Sequence, residues 1–536
     1  MKQKKPGVRH TLPLALATAA LLTVTACSGS SDSDSPKKEN DTSALPSTKL
    51  TTLRQAWAYQ DQTMDPATFY GGPGFSPMGA LYEGLVGYAA ESVEIEPQLA
   101  TDWTISDDGL TYTFTLREGA TFHDGTPVDA EAVKFSFQRF SDLEGSPSYM
   151  LDDVESMDAP DPQTFVMHLK APSNPMLDYL ASYVGPKVMS PTLMEANSGE
   201  DDGAEFLSSH DAGSGPYELT EVVTDKSLTL EAYADYWGAA PTIGTIQIQI
   251  IPDISTQVLS LEKGDVDMVT AQVPANLASQ LRETDGINVT SFNTILKALA
   301  WVKDDGFFAD PEARKALAQA IDKEAVAKGA YGEDATASTN MIPSSMQGGD
   351  VANDDPEYDP SVLAGLVEDA GDVGPITIGY YESLAEDALA AELMQTQLQA
   401  AGLDATVRSY GSEFFGFGAD PTDAPEIMVL RTNADAASPA AWMSGYYKTG
   451  GGLTLNGVSV PEGDAALTQA INEADPVQAE ADYETAAQAY ADSGYFITLA
   501  DPPAVIYTRD EVGPVSYTQG NPFGPTYALT GSAGGQ

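Results

Sequence analysis

The sequence predicts an α/β protein of two or three domains, on three observations. Its 536 residues exceed what a single hydrophobic core organises. From Leu53 to about Ile251 apolar residues alternate with a period of two, which marks half-buried strands. From about residue 300 onward, helical spacing takes over and strands flank helices.

The first segment stands apart from this pattern. "MKQKKPGVRH" carries Lys2, Lys4, Lys5 and Arg9 and no acid, and "TLPLALATAALLTVTA" follows without a charge. A basic stretch before an apolar run shorter than the ~18 residues of a spanning helix reads as a signal peptide over 1–26. Cys27 is the only cysteine, which excludes an internal disulfide and any cysteine-based metal cluster. Its setting, "VTAC", resembles the bacterial lipobox, which implies that Cys27 is lipidated and becomes the mature N-terminus. Acyl chains contribute ~0.8 kcal/mol per buried methylene, so the expected location is the outer face of the cell membrane, anchored without spanning it. Residues 27–47 are Ser, Asp, Lys and Pro with little to bury, and read as a disordered tether. Some twenty such residues reach ~25 Å as a flexible chain.

The remaining elements follow in order. "TYTFTLR" puts Tyr112, Phe114 and Leu116 on one strand face, and "TIQIQII" does the same with Ile246, Ile248 and Ile250. Between them "DAEAVKFSFQRF" reads as a short helix capped by Asp129. In "ADPEARKALAQAIDKEAVAKGAYG", Asp310 is placed as N-cap and Pro311 as N1, with Leu317, Ile321 and Ala325 at helical spacing. "PITIGYY", a helix from the capping-box pattern Ser383 and Glu386 to Gly402, and "LDATVRSYG" form a strand–helix–strand crossover. The strand "EIMVLR", a surface loop over 413–425, the helix "DPVQAEADYETAAQAYADSG" and the strand "YFITLAD" complete the reading, with no internal repeat.

The composition narrows function. Loss of residues 1–26 leaves 22 basic against 79 acidic side chains, a net charge near −57. Phosphate contacts need a basic stripe, so nucleic acid is excluded as a partner. No G-x-S-x-G elbow, H-E-x-x-H or P-loop is present. Ser209, His210 and Asp211 are consecutive, whereas a catalytic triad is assembled across a fold. The acidic "DVANDDPEYD" lacks the glycine and glutamate of an EF-hand loop. His168 alternates away from Phe165, Met167 and Leu169 and reads as solvent-facing. The chain is not expected to be an enzyme, and no cofactor or metal is expected.

The run from Met64 to Phe140, with "MDPATFY", "LYEGL", "IEPQLATDW" and "DDGLTYTFTLREGATFHDGTP", resembles the solute-binding family 5 proteins of ABC importers, the oligopeptide and dipeptide binders. "GSGPY" at Gly213, "ADYWG" at Ala234, "LEKGDVDM" at Leu261, "RKALAQAID" at Arg314 and "YDPSVLAGLVEDAG" at Tyr358 extend the resemblance over nearly the whole mature chain. It implies a periplasmic-binding-protein-like fold of three lobes with hinge closure. Lobe I would comprise 48–88, 215–296 and 500–536, lobe II the insertion 89–214, and lobe III residues 297–499. His123 of the "FHDG" motif is expected at a structural corner of lobe II.

The resemblance also implies a ligand site. Ala434 and Asp435 of "RTNADAASPAAW" fall on the family's A-D, whose aspartate pairs with a ligand α-ammonium. Asp435 lies just past "EIMVLR", beyond the carboxyl end of a strand, where open α/β sheets hold ligands. Thr432 departs from the usual tryptophan, and Ser438-Pro439 from the usual D-P. Tyr70, Gly71 and Gly72 match the family's pocket loop; Trp301, Tyr380 and Tyr381 fall where relatives line the cavity; Arg431 is the candidate for a ligand carboxylate. The expected protein is a monomeric, lipid-anchored receptor that delivers peptides to ABC permease subunits. Oligosaccharides, opines and metal chelates are alternatives on the same fold, and a secreted hydrolase or a ligand sensor are alternatives of another class.

Overall fold

The computed structural model describes residues 48, 50–58, 63–70, 75–349, 353, 356–527 and 530. The expected signal peptide, Cys27, Gly71 and Gly72 lie outside the described residues.

Three main sheets organise the described residues. The first has seven strands, in the order Ile287–Phe292, Ala504–Arg509, Met268–Val269, Thr52–Trp57, Thr245–Ile250, Ser227–Ala232 and Tyr217–Val223. Thr52–Trp57 pairs in parallel with both its neighbours, and the other ladders are antiparallel. This sheet draws on three separated stretches of the chain. A four-stranded antiparallel sheet, Ala100–Ile105, Thr111–Leu116, Thr164–Leu169 and Val154–Asp161, is built from the intervening insertion. Its second strand buries Tyr112, Phe114 and Leu116, as the alternation predicts. The helix Ala130–Asp142 packs against it, capped by Asp129 through a bond from the Ala132 N–H at 2.9 Å.

The third sheet has six strands: Thr336–Ala337, Phe496–Asp501, Leu296–Val302, Ile427–Asn433, Pro375–Tyr381 and Asp404–Tyr410. The last three are parallel, and the predicted crossover is present, with the helix Ala385–Ala400 between Pro375–Tyr381 and Asp404–Tyr410. Leu296–Val302 is buried along its whole length because apolar groups cover both sheet faces.

Three local expectations are corrected. The helix read as continuous from Pro311 breaks into Pro311–Ala320 and Lys323–Tyr331, because Ile321 is extended and Asp322 caps the second piece by accepting the Ala325 N–H. Asp310 and Pro311 do start the first piece as expected. Ser383 and Glu386 form no capping box: Leu384 is the N-cap and offers no side-chain bond, since a turn from Leu384 N–H to Tyr381 O comes first. The stretch 413–425 is more than a surface loop. Two 3₁₀ turns, Ser412–Gly416 and Pro421–Asp423, turn Phe414 and Phe417 into the core against Tyr410.

Candidate functional site

The strand Ile427–Asn433 sets the position of the candidate anchor. Met428 and Leu430 face one side of the sheet with Leu299 and Trp301, while Ile427 and Val429 face the helices on the other. After Asn433 the chain leaves the sheet, and Ser438 caps the next helix, Pro439–Tyr446, by accepting the Ala440 N–H. Residues 434–437 are thereby held as a short loop at the strand's carboxyl end, and Asp435 projects from it.

Both oxygens of Asp435 are engaged by tyrosines. Tyr70 donates its hydroxyl to Oδ1 at 2.7 Å, and Tyr149 donates to Oδ2 at 2.9 Å. The two rings remain 51% and 39% exposed. Burial pushes the Asp435 carboxyl above its ordinary range, and the two hydroxyls partly oppose that shift. Among the described residues no Lys or Arg lies within 4 Å of it. The carboxylate is therefore a half-buried negative charge supported by neutral donors, with remaining lone pairs suited to an ammonium.

The loop's backbone is held by the insertion and by Tyr88 just before it. Tyr183 donates to Ala434 O at 2.7 Å, and the Ser182 hydroxyl donates to Asp435 O. The Ala437 N–H donates to the Tyr88 hydroxyl at 2.9 Å, which in turn reaches Asp178 Oδ1 at 3.1 Å. Burial pushes the Asp178 carboxyl up to about 7, opposed by that hydroxyl. On the sheet side, Tyr446 donates to Asn433 O at 2.6 Å and Thr432 Oγ1 lies 2.7 Å from the same hydroxyl.

The structure brings Tyr70 and Asp435 together, whereas Trp301, Tyr380, Tyr381 and Arg431 make no hydrogen bond to that carboxylate. Trp301 is 0% exposed, and its indole N–H donates to Tyr446 O at 3.1 Å, so it supports Tyr446 from within the core. Tyr380 packs on the opposite, helix-covered face of the sheet. Tyr381 lies on the same face as Trp301, edge-on to Phe415 at 4.8 Å between centroids. Arg431 alternates to the helix side, where its backbone N–H donates to Asp387 Oδ2 at 2.9 Å and its guanidinium lowers that carboxyl electrostatically. Burial, the larger effect, pushes Asp387 up to about 7.

Tyr149, Ser182, Tyr183 and Tyr88 were not legible as site residues, because no motif or period marks them and only the fold brings them to the 434–437 loop. A further feature without a sequence signal is a 540 Å³ cavity between the first sheet and the C-terminal α/β region. Gln272, Asn276 and Arg282 line it from one side, and Tyr331, Asp334 and Glu386 from the other. An ion pair between Arg282 and Asp334 crosses it. Its volume is in the range of small-molecule sites.

Among the described residues, His123, His168 and His210 show no catalytic arrangement. His123 is enclosed, with Nδ1 2.5 Å from Asp211 Oδ1 and Nε2 3.0 Å from Gly215 O. Asp211 is thus committed to His123, and His210 packs on Phe206 instead. His168 lies on a strand within 3.5 Å of the exposed Asp158.

Comparison with known proteins agrees with this architecture. A probable D,D-dipeptide-binding periplasmic protein of Escherichia coli (strain K12) is 29% identical over 298 residues, covering 55% of this chain and 57% of that one. The chain thus spans little more than half the length of that relative. Heme-binding protein A of Haemophilus influenzae is 29% identical over 398 residues, 68% of this chain and 69% of that one. A solved periplasmic binding protein from Helicobacter pylori, in complex with the peptide STSA, superposes with a TM-score of 0.73 at 25% identity, covering 88% of this chain and 97% of its own. The fold is therefore that of the periplasmic binding proteins. The model of the bacterial extracellular solute-binding proteins, family 5, matches residues 94–453, and the chain belongs to that family.

Proposed function

We propose that this protein is a receptor of an ABC importer that captures peptides by their protonated amino end and delivers them to the permease, without transforming them. One observation carries the reading: among the described residues the Asp435 carboxylate is held by two neutral hydroxyls and by no basic side chain. A peptide amine with a pKa of ~7.7–8.0 is mostly charged at neutral pH and is the natural counter-ion for such a group. The names of two of the relatives, a probable D,D-dipeptide binder and a protein solved with the peptide STSA, support the same ligand class, whereas the third is named for heme.

In this reading lobes I, II and III are 48–88 with 215–296 and 500–536, 89–214, and 297–499. The first sheet's origin in three separated stretches supports that division. Tyr70 then belongs to lobe I, Tyr149 to lobe II and Asp435 to lobe III, so all three lobes meet at one carboxylate. Closure is favoured by a ligand that contacts them together. Cys27 would hold the monomeric receptor to the outer face of the membrane through its lipid. Replacement of Cys27 by Ala should release the protein from the membrane fraction.

Native mass spectrometry of the purified protein tests the ligand class. A mixture of co-purifying peptides supports the proposal. A retained oligosaccharide, opine or metal chelate overturns it.

A further inference from the structure

In a chain with 79 acidic and 26 basic side chains, a buried cation with no acid beside it is an exception. Two described lysines are enclosed. Lys297 follows the rule, its ammonium lying 2.6 Å from Asp501. Lys187 does not. It is 9% exposed, and its ammonium donates only to the backbone carbonyl of Ser182, at 2.6 Å. An ammonium has three N–H groups, so two have no acceptor among the described residues. Burial draws its pKa down to about 8, which leaves it largely charged at neutral pH.

Lys187 lines a 190 Å³ cavity at the junction of the insertion, the two-stranded ribbon and the C-terminal stretch. Gln98 and Asn521 line it as well. The Gln98 amide oxygen accepts the Gly84 N–H at 2.8 Å, and the Asn521 amide oxygen accepts the Phe523 N–H at 3.0 Å. Those bonds orient both side chains and leave their NH₂ groups as donors. The hydroxyls of Tyr88 and Tyr183 on the same wall are already committed to Asp178 and Ala434. Among the described residues, the one carboxylate on the wall is the exposed Glu96, more than 4 Å from the ammonium.

We propose that this cavity is an anion site for the carboxylate of a small monoanionic molecule, with Lys187 as counter-charge and Gln98 and Asn521 as donors to its oxygens. A single ammonium balances a single charge, and the acidity of the whole chain disfavours a dianion. A planar carboxylate presents two oxygens to several N–H donors, and the small volume limits the group that carries it. A free small carboxylate and the terminal carboxylate of a longer ligand share this chemistry. The site is joined to the Asp435 loop through Ser182, whose carbonyl takes Lys187 and whose hydroxyl holds Asp435 O.

Acetate, with acetamide as its neutral match, is the probe, titrated into the protein at constant ionic strength and followed by ligand-observed NMR. Saturable binding of acetate but not acetamide is expected. Lys187→Met should weaken acetate at least tenfold, and Lys187→Arg should keep it within threefold of the parent. Competition separates the sources. If the dipeptide Ala-Ala displaces acetate and its C-terminal amide does not, the occupant is a ligand terminus; if neither displaces it, the occupant is a free carboxylate. Where Lys187→Met fails to fold, Gln98→Leu takes its place, with at least threefold weakening expected. Failure of acetate to bind the parent, or equal binding by the folded variant, overturns the proposal.

Discussion

The Tyr70 hydroxyl donates to Asp435 Oδ1 at 2.7 Å, joining residues 365 positions apart, and Tyr149 satisfies the other oxygen. On the proposed function this carboxylate is the partner of a ligand ammonium. Asp435→Ala should weaken the peptides recovered with the protein by at least ~2 kcal/mol, the scale of removing one partner from a buried charge pair. Isothermal titration checks this, and unchanged affinity would remove Asp435 from the site. The pH dependence has a definite sign. Burial raises the Asp435 pKa, and the ammonium needs the ionised form, so affinity should fall on acidification at a pH above that of an ordinary aspartate.

Tyr70→Phe and Tyr149→Phe each remove one donor to the Asp435 carboxylate. Both hydroxyls favour its charged form, so either substitution should move the Asp435 titration further upward, and the double variant furthest. Carbon-13 NMR of the carboxyl measures it. A titration that does not move in the double variant would show that neither hydroxyl donates in solution.

Other parts of the molecule respond to pH in separate windows. Burial pulls the His123 pKa down, but Asp211 and the Gly215 carbonyl outweigh it, and the net shift is upward. A group whose folded pKa exceeds its unfolded value of ~6.5 stabilises fully below ~6.5 and loses that contribution as pH rises through the folded value. Urea unfolding should therefore show stability declining above pH ~6.5, and His123→Asn should flatten that limb.

Glu83 acts at lower pH. It accepts from Ser214 at 2.8 Å, Tyr236 at 3.1 Å and the Trp237 indole at 3.0 Å. Burial still dominates and pushes it up to about 7. The protonated form is preferred in the fold, so stability falls by roughly 3 kcal/mol as pH rises from the unfolded value near 4.5 to about 7. Glu83→Gln keeps an acceptor for the donors and should remove Glu83's share of that slope, leaving the shares of Asp178 and Asp387, which burial also pushes up to about 7. An undiminished slope in the variant would assign all of it to those other carboxyls.

Much of this was legible where local physics decides. Alternation found the strands at Tyr112–Leu116 and Thr245–Ile250, and Asp129 and Asp310 cap helices because a carboxylate one residue ahead of a helix meets free N–H groups. Helical spacing failed at Ile321, where a second cap at Asp322 outcompetes continuation. Within the site, Asp435 and Tyr70 followed from the family resemblance, and their contact appears in the structure. Trp301 and Tyr380 could not be assigned a side from sequence, since a strand buried on both faces presents apolar residues to both. Tyr149, Ser182 and Tyr183 depend wholly on how the insertion folds back on the 434–437 loop.

The glycines of "GSGPY" give the last test. A Cβ on Gly213 would lie 1.9 Å from Leu81 O and 2.8 Å from Leu81 C, and one on Gly215 would lie 2.2 Å from Ala80 O. These are backbone atoms at the end of the helix Phe75–Leu81, held by the bond from Gly215 N–H to Leu81 O at 2.9 Å, so they cannot yield as a side chain does. The same strand of chain carries the Asp211 partner of His123 and the Ser214 hydroxyl donated to Glu83. Gly213→Ala should lower stability by at least the ~1–3 kcal/mol typical of overpacking and should disturb both titrations described above. Gly365 is the control: it is an exposed position of the helix Pro360–Ala370 with nothing within 4 Å of the added carbon. Gly365→Ala should stabilise by up to ~1 kcal/mol through helix propensity. Urea midpoints of the two variants measured side by side decide it, and equal midpoints would mean that the "ALYEGL" backbone moves freely away from Gly213.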